Sequence, residues 1–217
     1  KDPTSGRWWL RDDQHAAEAL SDRVEKFIVS QLIETPGQPR EILEGKLHAA
    51  FPGLQTPPSR LLDDVLDSYA TKDEAGWQLK EGDRPGTRRE DIAAINTLLR
   101  ELGTRMNFAI QEDPLGWQND EMTVTFAVIA SAAFNTLLRE ISPSTHNFIV
   151  LPGSRARLAL HKLNTNPHLT KLADPWQFMK YRLIRRMAEN QSMTPDLFLQ
   201  QAAIDPLNED ASQLPLF

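Results

Sequence analysis

Apolar residues in the first third of the chain recur every three or four positions, the spacing that places them on one face of a helix. This pattern predicts a first helix over residues 16–34 and a second over 40–50. A third is predicted after Thr56, a candidate N-cap with Pro57 in the first helical position. Alternating side chains over residues 77–80 then predict a short strand.

Three helices followed by a small β-wing are typical of a winged-helix domain, a member of the helix-turn-helix class, and we place this domain at residues 7–83. Its third helix carries Asp63, Asp64 and Asp67. Carboxylates would be repelled by DNA phosphates, so we expect this helix to contact protein rather than a DNA groove.

A charged segment with Pro and Gly, residues 80–87, predicts a boundary before a second domain at residues 88–205. We expect helices and strands to alternate in that domain, which makes it a mixed α/β unit within an α+β chain. The predicted helices are 88–102, 130–141, 154–163, 176–190 and 194–203, and the predicted strands are 106–111, 121–128 and 146–151, with a turn at 114–117 that could start another strand.

The order helix, strand, strand, helix, strand, helix resembles the core of restriction-endonuclease-like nucleases. Such enzymes need carboxylates to hold a divalent metal, and a lysine at the end of a central strand. Asp113, Asp120 and Glu121 could supply oxygen ligands, but residues 122–128 contain no acidic-x-Lys pair. We therefore expect a degenerate, catalytically empty core that has no metal or cofactor. A divalent-metal-dependent nuclease using those three carboxylates is the alternative.

Charge is distributed unevenly along the chain, whose formal net charge is −6. Residues 154–187 contain eight basic residues against the single acid Asp174. Such segregation is typical of a surface for phosphate, so DNA is the expected partner; ordinary solvated helix faces are the alternative. The residues predicted to contact nucleic acid are Arg155, Arg157, Lys162, Lys180, Arg182, Arg185 and Arg186.

One loop in this basic stretch is a candidate anion site. A predicted strand ends at Pro152, and Gly153, Ser154 and Arg155 lead into the next predicted helix. Backbone N–H groups at a helix start, together with a guanidinium, can hold an anion. The alternative is a tight turn in which Ser154 serves only as the N-cap.

The last residues of the chain, 206–217, are predicted to be a polar tail that ends in a short binding peptide. Its final five residues, Gln213-Leu214-Pro215-Leu216-Phe217, resemble the motif with which bacterial proteins dock on the sliding clamp of DNA replication. Leu214, Leu216 and Phe217 would be apolar anchors and Gln213 would fix the register. The alternative is that these side chains pack on the core of the chain itself.

Several longer segments together resemble the C-terminal region of large bacterial DNA-methylase-type proteins from restriction and phage-defence clusters. These segments are Arg7-Trp8-Trp9-Leu10, residues 51–54 through 68–70, Trp77-Gln78-Leu79, residues 151–155 and residues 176–182. The resemblance implies an accessory role in positioning on DNA, beside other defence proteins. The methyl-transfer motifs of that family are absent from this sequence, so we expect no enzyme activity within it.

Composition sets the remaining expectations. The chain has no Cys and no apolar run of about 20 residues, which favours a cytoplasmic protein without a membrane span. It begins with Lys1 rather than Met, so we expect it to be part of a longer protein. The sequence therefore predicts a non-catalytic targeting or accessory module that binds DNA, with a protein-interaction scaffold as a further alternative.

Overall fold

The computed structural model describes residues 18–141, 144–204 and 207 of the 217-residue chain. Within these residues the chain forms nine helices, a five-stranded mixed sheet and a two-stranded sheet. The prediction of a mixed α and β fold is thus confirmed. None of the helices in the described ranges is long and apolar enough to cross a membrane.

The N-terminal elements are three helices and a hairpin. They are α1 (Leu20–Glu34), α2 (Arg40–Ala50), α3 (Ser59–Tyr69), β1 (Ala70–Lys72) and β2 (Trp77–Leu79). The two strands are antiparallel. An isolated bridge pairs Gln38 with Trp77, so the segment between α1 and α2 lies beside the hairpin.

The predicted start of the third helix is wrong by two residues. The N-cap is Pro58, in an extended conformation, and the Thr56 hydroxyl donates to the Gly53 carbonyl instead of capping α3. Thr56 and Pro57 each precede a proline, which disfavours the helical conformation at both positions. The chain therefore stays extended until Ser59.

The long helix α4 (Pro85–Arg105) continues through Gly103 and ends three residues after the predicted end at residue 102. Gly103 is a point of close packing against the sheet. A Cβ there would lie 2.4 Å from Nε1 of Trp117, and that indole nitrogen donates to the Leu99 carbonyl at 3.0 Å. Glycine is needed here for space rather than for a left-handed turn.

The rest of the chain builds the large sheet and its flanking helices. In chain order the elements are β3 (Ala109–Glu112), β4 (Leu115–Gln118), β5 (Thr123–Val128), α5 (Asn135–Glu140), β6 (His146–Leu151), α6 (Ala156–Thr165), α7 (Pro167–Ala173), β7 (Gln177–Lys180), α8 (Tyr181–Glu189) and α9 (Pro195–Ala202). The strand order is β3-β4-β5-β6-β7. The first three strands are antiparallel, whereas β5, β6 and β7 are parallel.

The prediction of one helix over residues 176–190 is wrong in its first part, which forms β7. Phe178 and Met179 pack into the cores on opposite faces of the sheet. This alternation is that of a strand. Trp176, Met179 and Leu183 also fit a helical stripe, so periodicity alone does not separate the two structures.

Two hydrophobic cores lie on the two faces of the large sheet. On one face, Phe126, Phe148 and Met179 pack with residues of α4, α8 and α9. On the other, Ala127 and Ile149 pack with residues of α5, α6 and α7, and also of α1, α2 and α3. The first three helices therefore share a core with the sheet.

Candidate nucleic-acid interface

Arg155 is a buried structural residue, and its predicted role as a phosphate contact is wrong. Its side chain is 0% exposed. The guanidinium donates to the Ser68 carbonyl at 2.6 Å, to the Ala130 carbonyl at 3.2 Å and to the Asp83 carboxylate. It also lies 3.4 Å from the centre of the Tyr69 ring. Arg155 thus ties the end of α3 to the end of β5.

Lys162 is also buried, which corrects its assignment to the surface. Its side chain is 0% exposed, and Nζ donates to Asp22 at 2.6 Å, to the Ala132 carbonyl at 2.9 Å and to Glu25. Glu25 additionally accepts from the Tyr69 hydroxyl and from the Ala132 amide. A lysine without such partners would not be tolerated in this core.

Burial shifts the pKa values of the acids in these two clusters. It raises the pKa of Asp22, although Lys162 opposes the shift, and it raises the pKa of Asp83 against the opposing effect of Arg155. The pKa of the Tyr69 hydroxyl is raised as well, by burial and by the nearby Glu25 carboxylate. The buried charges therefore attach the first three helices to the sheet, and they are not a site open to a ligand.

Of the three acidic residues of α3, Asp64 is covered by α6, whereas the side chains of Asp63 and Asp67 are 49% and 50% exposed. Asp64 lies 2.7 Å from Nδ1 of His161 and 3.3 Å from Arg157, whose guanidinium is also 3.4 Å from Asp67. Burial lowers the pKa of His161, with Asp64 opposing the shift. Arg157 is exposed, but its charge is matched by two carboxylates, so this side of the molecule does not favour phosphate.

Two more predictions in the basic stretch are corrected by burial. Lys180, at the end of β7, is 5% exposed, so it does not lie on an open surface. In the loop Gly153–Arg155, a short 3-10 helix, the Ser154 carbonyl accepts from the Ser68 hydroxyl at 2.8 Å. Ser154 makes no capping hydrogen bond to α6, and the Arg155 guanidinium points into the interior. The predicted anion loop thus lacks its cation.

The remaining predicted arginines lie on the exposed face of α8. Arg182, Arg185 and Arg186 are all exposed, while the opposite face of the helix is buried in the core. Their spacing of three and four residues places them side by side. The prediction that these three contact nucleic acid is consistent with their exposure.

Three further arginines lie near α8 in the structure, although they are outside residues 154–187, in which the basic residues are concentrated. Arg84, Arg88 and Arg89 lie at the start of α4, which packs along α8. Arg185 on α8 donates to Asp91 on α4 at 2.7 Å, so the two helices also meet at the surface. We call the six arginines of α4 and α8 the basic face: Arg84, Arg88, Arg89, Arg182, Arg185 and Arg186.

Helix direction strengthens the positive potential of the basic face. The first turns of α4 and of α8 contain no acidic residue. A helix N-terminus carries a partial positive charge, so arginines there cost helix stability but attract an anion. The arrangement suits phosphate binding better than it suits helix stability.

The three candidate nuclease carboxylates do not converge. Asp113 lies in the turn between β3 and β4, whereas Asp120 and Glu121 lie in the turn between β4 and β5. These turns are at opposite ends of β4, which is about 13 Å long. Among the residues that the structure describes, no group of three acidic or histidine side chains could hold a metal ion.

The predicted clamp-binding residues Gln213, Leu214, Leu216 and Phe217 lie outside the described residues. Comparison of the chain with protein families, with curated proteins and with solved structures gave no match.

Proposed function

We propose that this chain is a non-catalytic DNA-associated module that contacts nucleic-acid phosphates through the basic face. One observation carries the proposal: α4 and α8, which are distant in sequence, pack against each other, and each contributes three arginines at or near its start with no acidic residue in its first turn. Phosphate contacts supply most of the sequence-independent affinity of DNA-binding proteins.

The order of elements supports the two finer fold assignments. Three helices, an antiparallel hairpin and the Gln38–Trp77 bridge suit a winged helix, although part of α3 is covered by α6. The order α4, β3, β4, β5, α5, β6 suits a nuclease-like core. In our proposal both units serve as scaffold, within an accessory region of a DNA-modification or phage-defence protein.

Binding of fluorescent DNA tests the proposal at low salt. We would replace Arg88, Arg89, Arg182 and Arg186 by Gln together, and keep Arg185 because it bonds to Asp91. The expected result is a large loss of affinity, because four phosphate contacts disappear. Arg155 stays unchanged, since its removal would disturb the fold and confuse the result.

A matched control removes the same charge elsewhere. It replaces four exposed cations outside the basic face by Gln: Arg60, Lys72, Arg139 and Lys171. This control should bind DNA almost as the parent does. Equal losses in both variants would mean that only net charge matters, and no loss in either would remove the proposal.

We further propose that the C-terminal peptide delivers the module to a sliding clamp. A pull-down with purified clamp would compare the intact chain with one that lacks Leu216 and Phe217. Retention of the clamp by the intact chain alone is expected, because these side chains are the apolar anchors. Equal retention by both would remove the clamp hypothesis and leave the basic face unaffected.

A further inference from the structure

An open cleft of about 600 Å³ lies beside the basic face. Its walls come from α1, from the start of α4 and from the end of β5, and Arg88 and Arg89 of the basic face lie among its lining residues. Sites for small molecules commonly have volumes of about 300–1,000 Å³. The cleft thus has room for one compact group next to the arginines.

The lining of the cleft is apolar, and cations are at its edge. Val29, Ile33, Ile92 and Ile129 contribute apolar surface, and the two arginines lie among the same lining residues. Lys26 also lines the cleft, but its ammonium group is paired with Glu18. Ile33 is 46% exposed, which is unusual here because few large apolar side chains in the described residues are so open. A group with a flat apolar body and an attached anion would match both properties.

The one carboxylate in the cleft does not oppose an anion strongly. Glu25 lines the cleft, but its oxygens accept from Lys162, from the Tyr69 hydroxyl and from the Ala132 amide. These hydrogen bonds direct its oxygens into the protein, where Glu25 shares Lys162 with Asp22. Arg88 and Arg89 are the lining residues that can supply positive charge to an anion in the cleft.

We propose that the cleft receives an unpaired nucleobase while Arg88 and Arg89 hold the adjoining phosphates. This inference rests on the proposed function and names its substrate class as single-stranded nucleic acid. Bases in a duplex are stacked and paired, whereas a base of a single strand can enter a cleft without the cost of unpairing. A nucleotide matches the site in charge as well as in shape. Every base in a strand is attached through its sugar to a phosphate, and the arginines can bind that phosphate.

The test compares an oligothymidine strand with an abasic strand of the same length, which has the same phosphates but no bases. The parent should bind the oligothymidine several-fold more tightly. In Ile33→Ser the apolar wall is lost, and the preference should fall by roughly fivefold. Binding of the abasic strand should not change, since the arginines remain.

Ile42→Ser is the matched control, because Ile42 is 51% exposed on α2 and does not line the cleft. It should leave the preference intact. Equal binding of both strands by the parent would overturn the cleft proposal while leaving phosphate binding by the basic face in place. The variant with Arg88, Arg89, Arg182 and Arg186 replaced should lose binding of both strands, because its phosphate contacts are gone. Equal effects of Ile33→Ser and Ile42→Ser would also contradict the cleft.

Discussion

Replacement of Lys162 by Met tests whether the buried charges attach α1 to the sheet. The substitution retains an unbranched side chain of similar length and removes the ammonium group. Asp22 and Glu25 are each 1% exposed, so they would lose the cation at 2.6 Å from Asp22 without gaining water. The Ala132 carbonyl would also lose its donor at 2.9 Å.

The expected cost in free energy of unfolding is about 3–5 kcal/mol at pH 7.5, the range for removal of one partner of a buried ion pair. Domains are stable by about 5–15 kcal/mol, so this is a large fraction of the total. Lys171→Met is the control, since Lys171 is an exposed lysine on α7, and its substitution should leave stability nearly unchanged.

The destabilisation should depend on pH in a defined direction. The pKa of Asp22 in the folded protein is raised above 3.8 by burial, and loss of Lys162 raises it further because that residue opposes the shift. A carboxyl group with a raised folded pKa binds its proton more tightly in the folded state. Stability is therefore gained as pH falls through the folded pKa toward 3.8, and lost as pH rises.

Urea denaturation of the parent, Lys162→Met and Lys171→Met at about pH 7.5 and about pH 5.5 measures the free energy of unfolding of each protein and its dependence on pH. The gap between parent and Lys162→Met should be smaller at the lower pH. A loss below about 1 kcal/mol at pH 7.5, or a gap that widens toward acid, would refute the assignment of a buried charge cluster.

Two further predictions concern packing and catalysis. Gly103→Ala should lower the free energy of unfolding by about 1–3 kcal/mol in urea denaturation, because its methyl group overlaps the tryptophan of β4. Gly45→Ala, at an open position of α2, is the control and should stabilise the protein by about 0.5–1 kcal/mol. Equal effects of the two substitutions would contradict the close contact at Gly103. Magnesium should not induce DNA cutting by the chain, and magnesium-dependent cutting that Asp120→Ala abolishes would restore the nuclease hypothesis.

Local patterns in the sequence predict much of the fold. The observed bounds of α2 and β6 are those predicted, because α2 has helical spacing between two prolines and β6 is a short apolar run that ends before Pro152. The strand β7 was not predicted, since its apolar residues continue in helical spacing into α8. Apolar spacing in residues 177–180 fits both a helix and a strand. Hydrogen bonding to the parallel strand β6, which the local sequence does not show, makes this segment a strand.

Burial of the cations could not be predicted from the sequence. Lys162 and its partner Asp22 are 140 positions apart, so nothing near the lysine indicates its environment. A count of charges along residues 154–187 therefore includes Arg155 and Lys162, which are buried. It omits Arg88 and Arg89, which lie on α4 beside α8. Which charges share a surface is set by the packing of α4 on α8.

The salt dependence of DNA binding tests the basic face most directly. We would measure the dissociation constant for a fluorescent single strand at salt concentrations of about 50 to 200 mM, for the parent and for the variant with Arg88, Arg89, Arg182 and Arg186 replaced by Gln. The slope of log affinity against log salt should become shallower by about 3, since each phosphate contact on a single strand contributes about 0.7. An unchanged slope would contradict the claim that these arginines contact phosphate.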